Sequence, residues 1–261
     1  MSAQPMNVTL SYGGLPCTVL TIEKFTGMPI EFAATIDWMG VINLSNAVGG
    51  VEVCVEDAIF DRDAGLDIPA GTQELSGDQA LAFLRTRHAI GDGSDLGRIS
   101  NQQQFMSSLV RKLSSTEVLT DPAALFRLAY AATDAITPSQ SLASPTRMVQ
   151  LALTLKDIDF EDIVFVQYPT GYDSDNPNKV LPKLAAGDAL FEALAAGKAI
   201  DLTGSTSAGK STVEIPGDTA APVEPSVAPT PGATATPDRV KLPGDITGQN
   251  AAQRTCTVSN R

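Results

Sequence analysis

Residues 76–113, SGDQALAFLRTRHAIGDGSDLGRISNQQQFMSSLVRKL, constrain this chain more than any other stretch. They gather Arg85, Arg87 and Arg98 at the mouth of one helix, in a chain of formal net charge −12. Ser76 with Gln79 three residues later fits a capping box, so a helix is predicted to begin near Asp78. Ala80, Leu81, Phe83 and Leu84 give it a buried face. On a continuing helix Arg85 and Arg87 would point about 200° apart, but in an extended exit both face one way. The loop His88 to Ser94, with Gly91 and Gly93, favours such an exit. A second helix is predicted from Ser94 or Asp95, with an apolar stripe of Ile99, Met106, Val110 and Leu113. Arg98 and Gln102 stand four apart on the adjacent face.

An arginine in a first helical turn opposes the helix dipole at a cost of up to ~1 kcal/mol. The same turn offers free backbone N–H groups that attract phosphate. An anion shared by Arg98, those N–H groups and the Arg85/Arg87 pair would reverse the sign of that cost. Guanidinium forks also suit phosphate oxygens better than ammonium groups do. The spacing is equally compatible with arginines that pair with the abundant carboxylates on a solvated surface.

The run R-T-R followed by D-L-G-R-I-S-N-Q-Q-Q-F resembles the central motif of the LytR-CpsA-Psr family, R-x-R, a short loop, then D-x-x-R-x-x-R-Q-Q. Arg85, Arg87, Asp95, Arg98, Gln102 and Gln103 match it position by position, and Asn101 stands where many members carry another arginine. The block T-G-x-P-I-x-F…G-V-I-N-L…V-G-G-V-E-V extends the likeness across roughly residues 7–200. The resemblance implies a phosphotransferase that moves an anionic glycopolymer from a polyprenyl pyrophosphate carrier onto peptidoglycan. Arg85, Arg87, Arg98 and Gln102 would bind the pyrophosphate, Asp95 would orient Arg98 or approach the metal, and Mg2+ would share the charge. It also implies a membrane anchor and first strands preceding residue 1, which would carry the magnesium ligands and the opposite wall of the site. A second reading is a non-catalytic module that binds polyprenyl phosphate or another anion.

Strand, helix and strand are predicted across residues 30–55 (IEFAATIDW, MGVINLSNAVGG, VEVCV), a crossover unit that indicates an α/β layer fold. With the resemblance this becomes a three-layer α-β-α sandwich around a central mixed sheet, at residues 1–200. A helix is predicted over 16–26, started by Pro16 and stopped by Gly27. The connection 56–75 is acidic, and its Asp61 and Asp63 are read as solvated loop carboxylates. Further helices are predicted at 121–135, 144–156 and 187–197, and a strand at 162–169. The loop with Tyr172, Asp173 and Asn178 is a possible border of a substrate groove or an ordinary turn. From 201 to 261 the composition turns to Pro, Thr and Ala, and a disordered tail is expected. Within it, GSTSAGKS (204–211) matches the phosphate-loop pattern literally, but Pro216 denies it the helix that mechanism requires.

Three cysteines, Cys17, Cys54 and Cys256, are compatible with one bridge and a spare thiol, or with reduced thiols. The resemblance implies a Cys17–Cys54 disulfide with Cys256 unpaired, and hence an oxidising, extracytoplasmic envelope setting. No apolar run is long enough to span a membrane, and the resemblance implies contact with the membrane surface through the lipid substrate. The acidic balance speaks against nucleic-acid binding, which needs a basic footprint. One histidine and scattered acids form no zinc or triad pattern.

Overall fold

The computed structural model describes residues 4–114, 122–176, 179–215 and 239–260. A short 3-10 turn leads into α1 (Thr9–Thr26), broken at Gly13–Gly14 and closed at Gly27, whose left-handed φ of 71° turns its N–H onto the Glu23 carbonyl. β1 (Ala34–Ile36) is shorter than predicted because the following residue caps a helix. Asp37 accepts the Gly40 N–H at 2.7 Å and starts α2 (Trp38–Ala47). In β2 (Val51–Val55) the valines point into the core while Glu52 faces solvent. The acidic connection folds further than expected, as the hairpin β3 (Ile59–Asp61) and β4 (Leu66–Ile68), then β5 (Gly71–Leu75). Its Ile59, Leu66 and Ile68 fill the main core with the β2 valines, Phe83 and Phe105.

The arginine segment forms α3 (Gly77–Arg85) and α4 (Asp95–Leu113). Ser94 caps α4 through the Gly97 N–H, whereas Ser76 makes no side-chain cap bond. Then come α5 (Pro122–Ala135), β6 (Ile136–Pro138), α6 (Pro145–Lys156), β7 (Val164–Val166), β8 (Thr170–Tyr172), β9 (Val180–Pro182), α7 (Leu184–Ala195) and β10 (Ala199–Asp201). Residue 121, where a helix is expected to start, and the groove residue Asn178 lie outside the described residues. A second core joins Leu190 of α7 to Ile200, Leu242 and Ile246.

The chain is α/β with a mixed central sheet, as expected, but the tail is not what its composition suggests. Residues 201–215 and 239–260 are folded, carrying β11 (Thr212–Glu214), β12 (Arg239–Lys241), β13 (Gly248–Asn250) and β14 (Thr255–Thr257). The four-stranded sheet runs β11-β14-β2-β5, with β14 parallel to β2 and antiparallel to β11. Residues 204–211 lead into β11, not into a helix, which agrees with the rejection of a phosphate loop.

Cys256 and Cys54 are register partners across β14 and β2, with Cα atoms 4.4 Å apart, and they form the disulfide. The Cys17–Cys54 pairing is therefore incorrect, and Cys17 is the free thiol. The reason is positional: once β14 lies beside β2, the Cys54 sulfur has a partner on the adjacent strand.

The same strand revises the reading of α4. Its most deeply buried residues include Ser100, Asn101, Gln104 and Ser107, while Met106 of the expected apolar stripe is 42% exposed. Asn101 donates to the Phe83 carbonyl at 2.8 Å and accepts from Thr257 Oγ1 at 2.6 Å. Gln104 donates to the carbonyls of Cys54 (2.8 Å) and Thr255 (2.6 Å) and accepts from Thr257. Gln249 of β13 donates to Ser107 Oγ at 2.7 Å and accepts from Thr255. Burying these amides is tolerable because each finds a partner. The glutamine run thus fastens the C-terminal strands, and Asn101 faces away from the arginines.

Candidate functional site

The exit from α3 is extended, with Thr86 at ψ 138°. Arg85 and Arg87 therefore lean to one side, while the fully buried Thr86 points to the other. Asp61 holds that geometry and is not the solvated carboxylate its acidic surroundings suggest: it is 5% exposed. Its Oδ2 accepts Thr86 Oγ1 at 2.5 Å and the Arg87 N–H at 3.4 Å. Its Oδ1 accepts the N–H groups of Asp63 and Ala64 at 3.0 and 3.1 Å. Burial raises the pKa of this carboxyl, but the Thr86 and backbone hydrogen bonds outweigh burial and leave it below its ordinary value of 3.8. The alternation of hydrophobic residues around Asp61 was the available signal, because Ile59 and Asp61 share one face of a strand.

Asp61→Asn is expected to cost about 2 kcal/mol at neutral pH, since a hydrogen bond to a buried charge is worth more than a neutral one. The folded carboxyl titrates below the unfolded value of 3.8, so its contribution is complete above that value. It is lost as the pH falls through the depressed folded value. The stability gap between wild type and variant, read from urea midpoints, should therefore be constant from pH 7 to 5 and close only below about pH 4.

The loop after Arg87 returns the chain to α4. Gly91 has φ 49°, and a Cβ there would sit 2.3 Å from the Gly209 carbonyl oxygen. Asp92 donates its N–H to that same carbonyl at 2.8 Å, and Ser211 Oγ donates to the Gly97 carbonyl at 2.7 Å. Residues 208–211 thus pack on the start of α4, whose Gly97 N–H already belongs to Ser94.

At the outer edge of this loop, Asp95 Oδ1 lies 3.1 Å from Arg98 and 3.4 Å from Arg87. Arg87 Nε also donates to the Gly93 carbonyl at 3.1 Å. Arg85 lies with its guanidinium carbon 4.1 Å above the Trp38 ring, a cation–π contact that leaves the fork edges free for a ligand. Gln102, one turn beyond Arg98, donates to the Leu84 carbonyl at 3.1 Å.

Arg85 and Gln102 line a cavity of about 610 Å³ whose other walls are almost wholly apolar. Leu44 of α2, Val48 just after it, Leu81 and Leu84 of α3, Leu125 and Leu128 of α5, and Met148 and Val149 of α6 contribute to it. Along α4 the wall runs from Gln102 through Met106 and Leu109 to Leu113. One helix face therefore passes from guanidinium and amide to hydrocarbon within four turns. The polar end is legible in the sequence and the cavity is not, because residues of five helices, α2 to α6, come together to line it. Tyr172 and Asp173, in and beside the β8–β9 hairpin, do not line this cavity.

Among the described residues no group of three or more His, Cys, Asp or Glu is placed to hold a metal ion. Asp95 is the carboxylate in contact with Arg87 and Arg98, and both ion pairs draw on the same oxygen. No helix among the described residues is long and apolar enough to cross a membrane.

Sequence and structure comparisons show what the whole chain is similar to. The LytR_cpsA_psr family profile matches residues 1–187. "Cell wall biosynthesis protein LcpA" of Corynebacterium glutamicum is 36% identical over 148 residues, 57% of this chain and 28% of that protein. "Polyisoprenyl-teichoic acid--peptidoglycan teichoic acid transferase TagU" of Bacillus cereus is 37% identical over 115 residues, 44% of this chain and 37% of that protein. The chain spans well under half the length of these curated relatives. The crystal structure of TagV from B. subtilis superposes with a TM-score of 0.59 at 24% identity, covering 73% of each chain, a likeness of fold.

Proposed function

The chain belongs to the LytR_cpsA_psr family, and on that premise we propose that it transfers a glycopolymer from a polyprenyl pyrophosphate carrier to peptidoglycan at the cell envelope. The observation that carries this is the junction of Arg85 and Gln102 with an open, apolar-walled cavity along α4, with Arg98 one turn before Gln102 on the same helix. An amphiphile with a charged head and a long apolar tail matches that junction, and a free anion leaves the cavity unused. The names of the relatives, which act in cell wall biosynthesis and on polyisoprenyl-linked teichoic acid, point the same way.

In this scheme the tail lies against Leu84, Met106 and Leu109, and the pyrophosphate lies against Arg85, Arg87, Arg98 and Gln102. A peptidoglycan hydroxyl oxygen attacks the polymer-side phosphorus and forms the new phosphodiester bond. The bond from that phosphorus to the bridging oxygen breaks, the polyprenyl monophosphate leaves with the electron pair, and the hydroxyl proton passes to solvent. Guanidinium groups that concentrate on the developing charge supply the stabilisation. Asp95 keeps Arg87 and Arg98 oriented until the pyrophosphate takes up their donors. No step is routed through magnesium. The Cys54–Cys256 disulfide supports an oxidising, extracytoplasmic location.

Calorimetric titration with farnesyl pyrophosphate and with inorganic pyrophosphate tests the junction. The prenylated ligand is expected to bind at least about tenfold more tightly, because each buried methylene contributes about 0.8 kcal/mol. Equal affinities would mean that the cavity takes no tail, and the proposal would fall.

A further inference from the structure

A second cavity of about 680 Å³ opens on the far side of the R-T-R segment, between the β3–β4 hairpin and the end of the chain. Phe60, Arg62 and Asp63 of the hairpin, His88, and Ser259 and Asn260 line it. The C-terminal residues are fixed there by backbone. Asn260 donates its N–H to the Ala89 carbonyl at 2.7 Å, its side chain donates to the His88 carbonyl at 3.1 Å, and Ser259 bridges to Ile90.

We infer that this cavity holds the acceptor glycan, an uncharged strand of acetamido-pyranose sugars. The inference rests on the transfer reaction proposed above. Three features select the ligand class. Phe60 is 70% exposed although it is an aromatic residue on a well-packed hairpin, so its ring is offered to a partner. The C–H face of a pyranose is weakly positive and seats on the negative face of such a ring. Around the ring stand an acceptor for sugar hydroxyls, in Asp63, and donors for hydroxyl and acetamido oxygens, in Arg62 and His88. Carboxylates outnumber the one arginine in this cavity, so it disfavours an anionic polymer and tolerates a neutral one. Donor and acceptor are thereby sorted by charge onto opposite faces of one segment.

The two sites are neighbours across a single loop. Gly93 accepts from Arg87 Nε through its carbonyl, and a Cβ on Gly93 would stand 3.6 Å from the Asn260 amide nitrogen. A glycan held against Asn260 would thus lie across the Gly93 backbone from Arg87.

The experiment is calorimetric titration of the full chain with an N-acetylglucosamine tetrasaccharide, with farnesyl pyrophosphate in parallel. Saturable tetrasaccharide binding is expected, weakened roughly tenfold in Phe60→Ala, as for the truncation of an aromatic anchor, and retained in Phe60→Trp. Farnesyl pyrophosphate affinity and Tm should be the same in all three proteins, because the Phe60 side chain faces outward. Absence of saturable tetrasaccharide binding, or binding indifferent to Phe60→Ala, overturns the inference. Loss of farnesyl pyrophosphate binding in the wild type, with Phe60-dependent tetrasaccharide binding intact, would strike the arginine-site reading and leave this glycan site standing.

Discussion

Arg98→Gln is expected to lower transfer from a prenyl-pyrophosphate-linked oligosaccharide by about 10²–10³-fold, the usual loss when one preorganised donor to a developing anion is removed. The basis is its position: Arg98 sits at the polar end of the α4 face, one turn before Gln102 and beside Asp95. Its half-exposed side chain adds little to folding, because surface ion pairs contribute 0–1 kcal/mol. The Tm should therefore move by no more than a degree or two while kcat/KM collapses. Arg98→Lys should recover only part of the loss, since a point charge cannot reproduce the planar fork. Asp95→Asn tests the orienting role separately and should cost less than Arg98→Gln, mostly in KM. Wild-type transfer rates in Arg98→Gln would remove this helix face from the chemistry.

The second large effect concerns the bond between Cys54 and Cys256, which closes a loop across a sequence separation of 202. In the chain-entropy description such a loop is worth roughly 5 kcal/mol, and measured values for native bridges are about 2–5 kcal/mol. Cys256→Ser should cost about that much in urea unfolding under oxidising conditions, and Cys17→Ser should cost almost nothing. The damage should not stop at stability. β14 supplies Thr257 to Asn101 and Gln104, and residues 259–260 pack on the loop that leads from Arg87 to Asp95. Release of the strand leaves Asn101 and Gln104 buried without those partners, each such amide costing about 1–3 kcal/mol. Amide exchange of α4 should accelerate in Cys256→Ser together with that of β2. Equal destabilisation by Cys17→Ser and Cys54→Ser would instead support the pairing that the resemblance implied.

Much of the site was legible locally. Asp95, Arg98 and Gln102 follow one another on a helix whose start Ser94 announces, and Arg85 and Arg87 share a side because the chain leaves α3 extended. Those are short-range facts, fixed by 3.6- and 2-residue periods and by capping. Asp61 was less legible, because a carboxylate in an acidic connection gives no sign that Thr86 and Arg87, 25 and 26 residues on, will enclose it.

The sequence by itself determined the helices, the valine strand, the arginine motif and the family. Tertiary structure alone decided which sulfur meets Cys54, that residues 239–260 carry sheet strands and are not tail, and that five helices line an apolar cavity behind Arg85 and Gln102. The physical reason is that composition reports only what a segment can bury on its own. Residues 248–257, rich in polar side chains, are ordered because α4 presents Asn101, Gln104 and Ser107 to satisfy them, and those partners lie about 150 residues away along the chain.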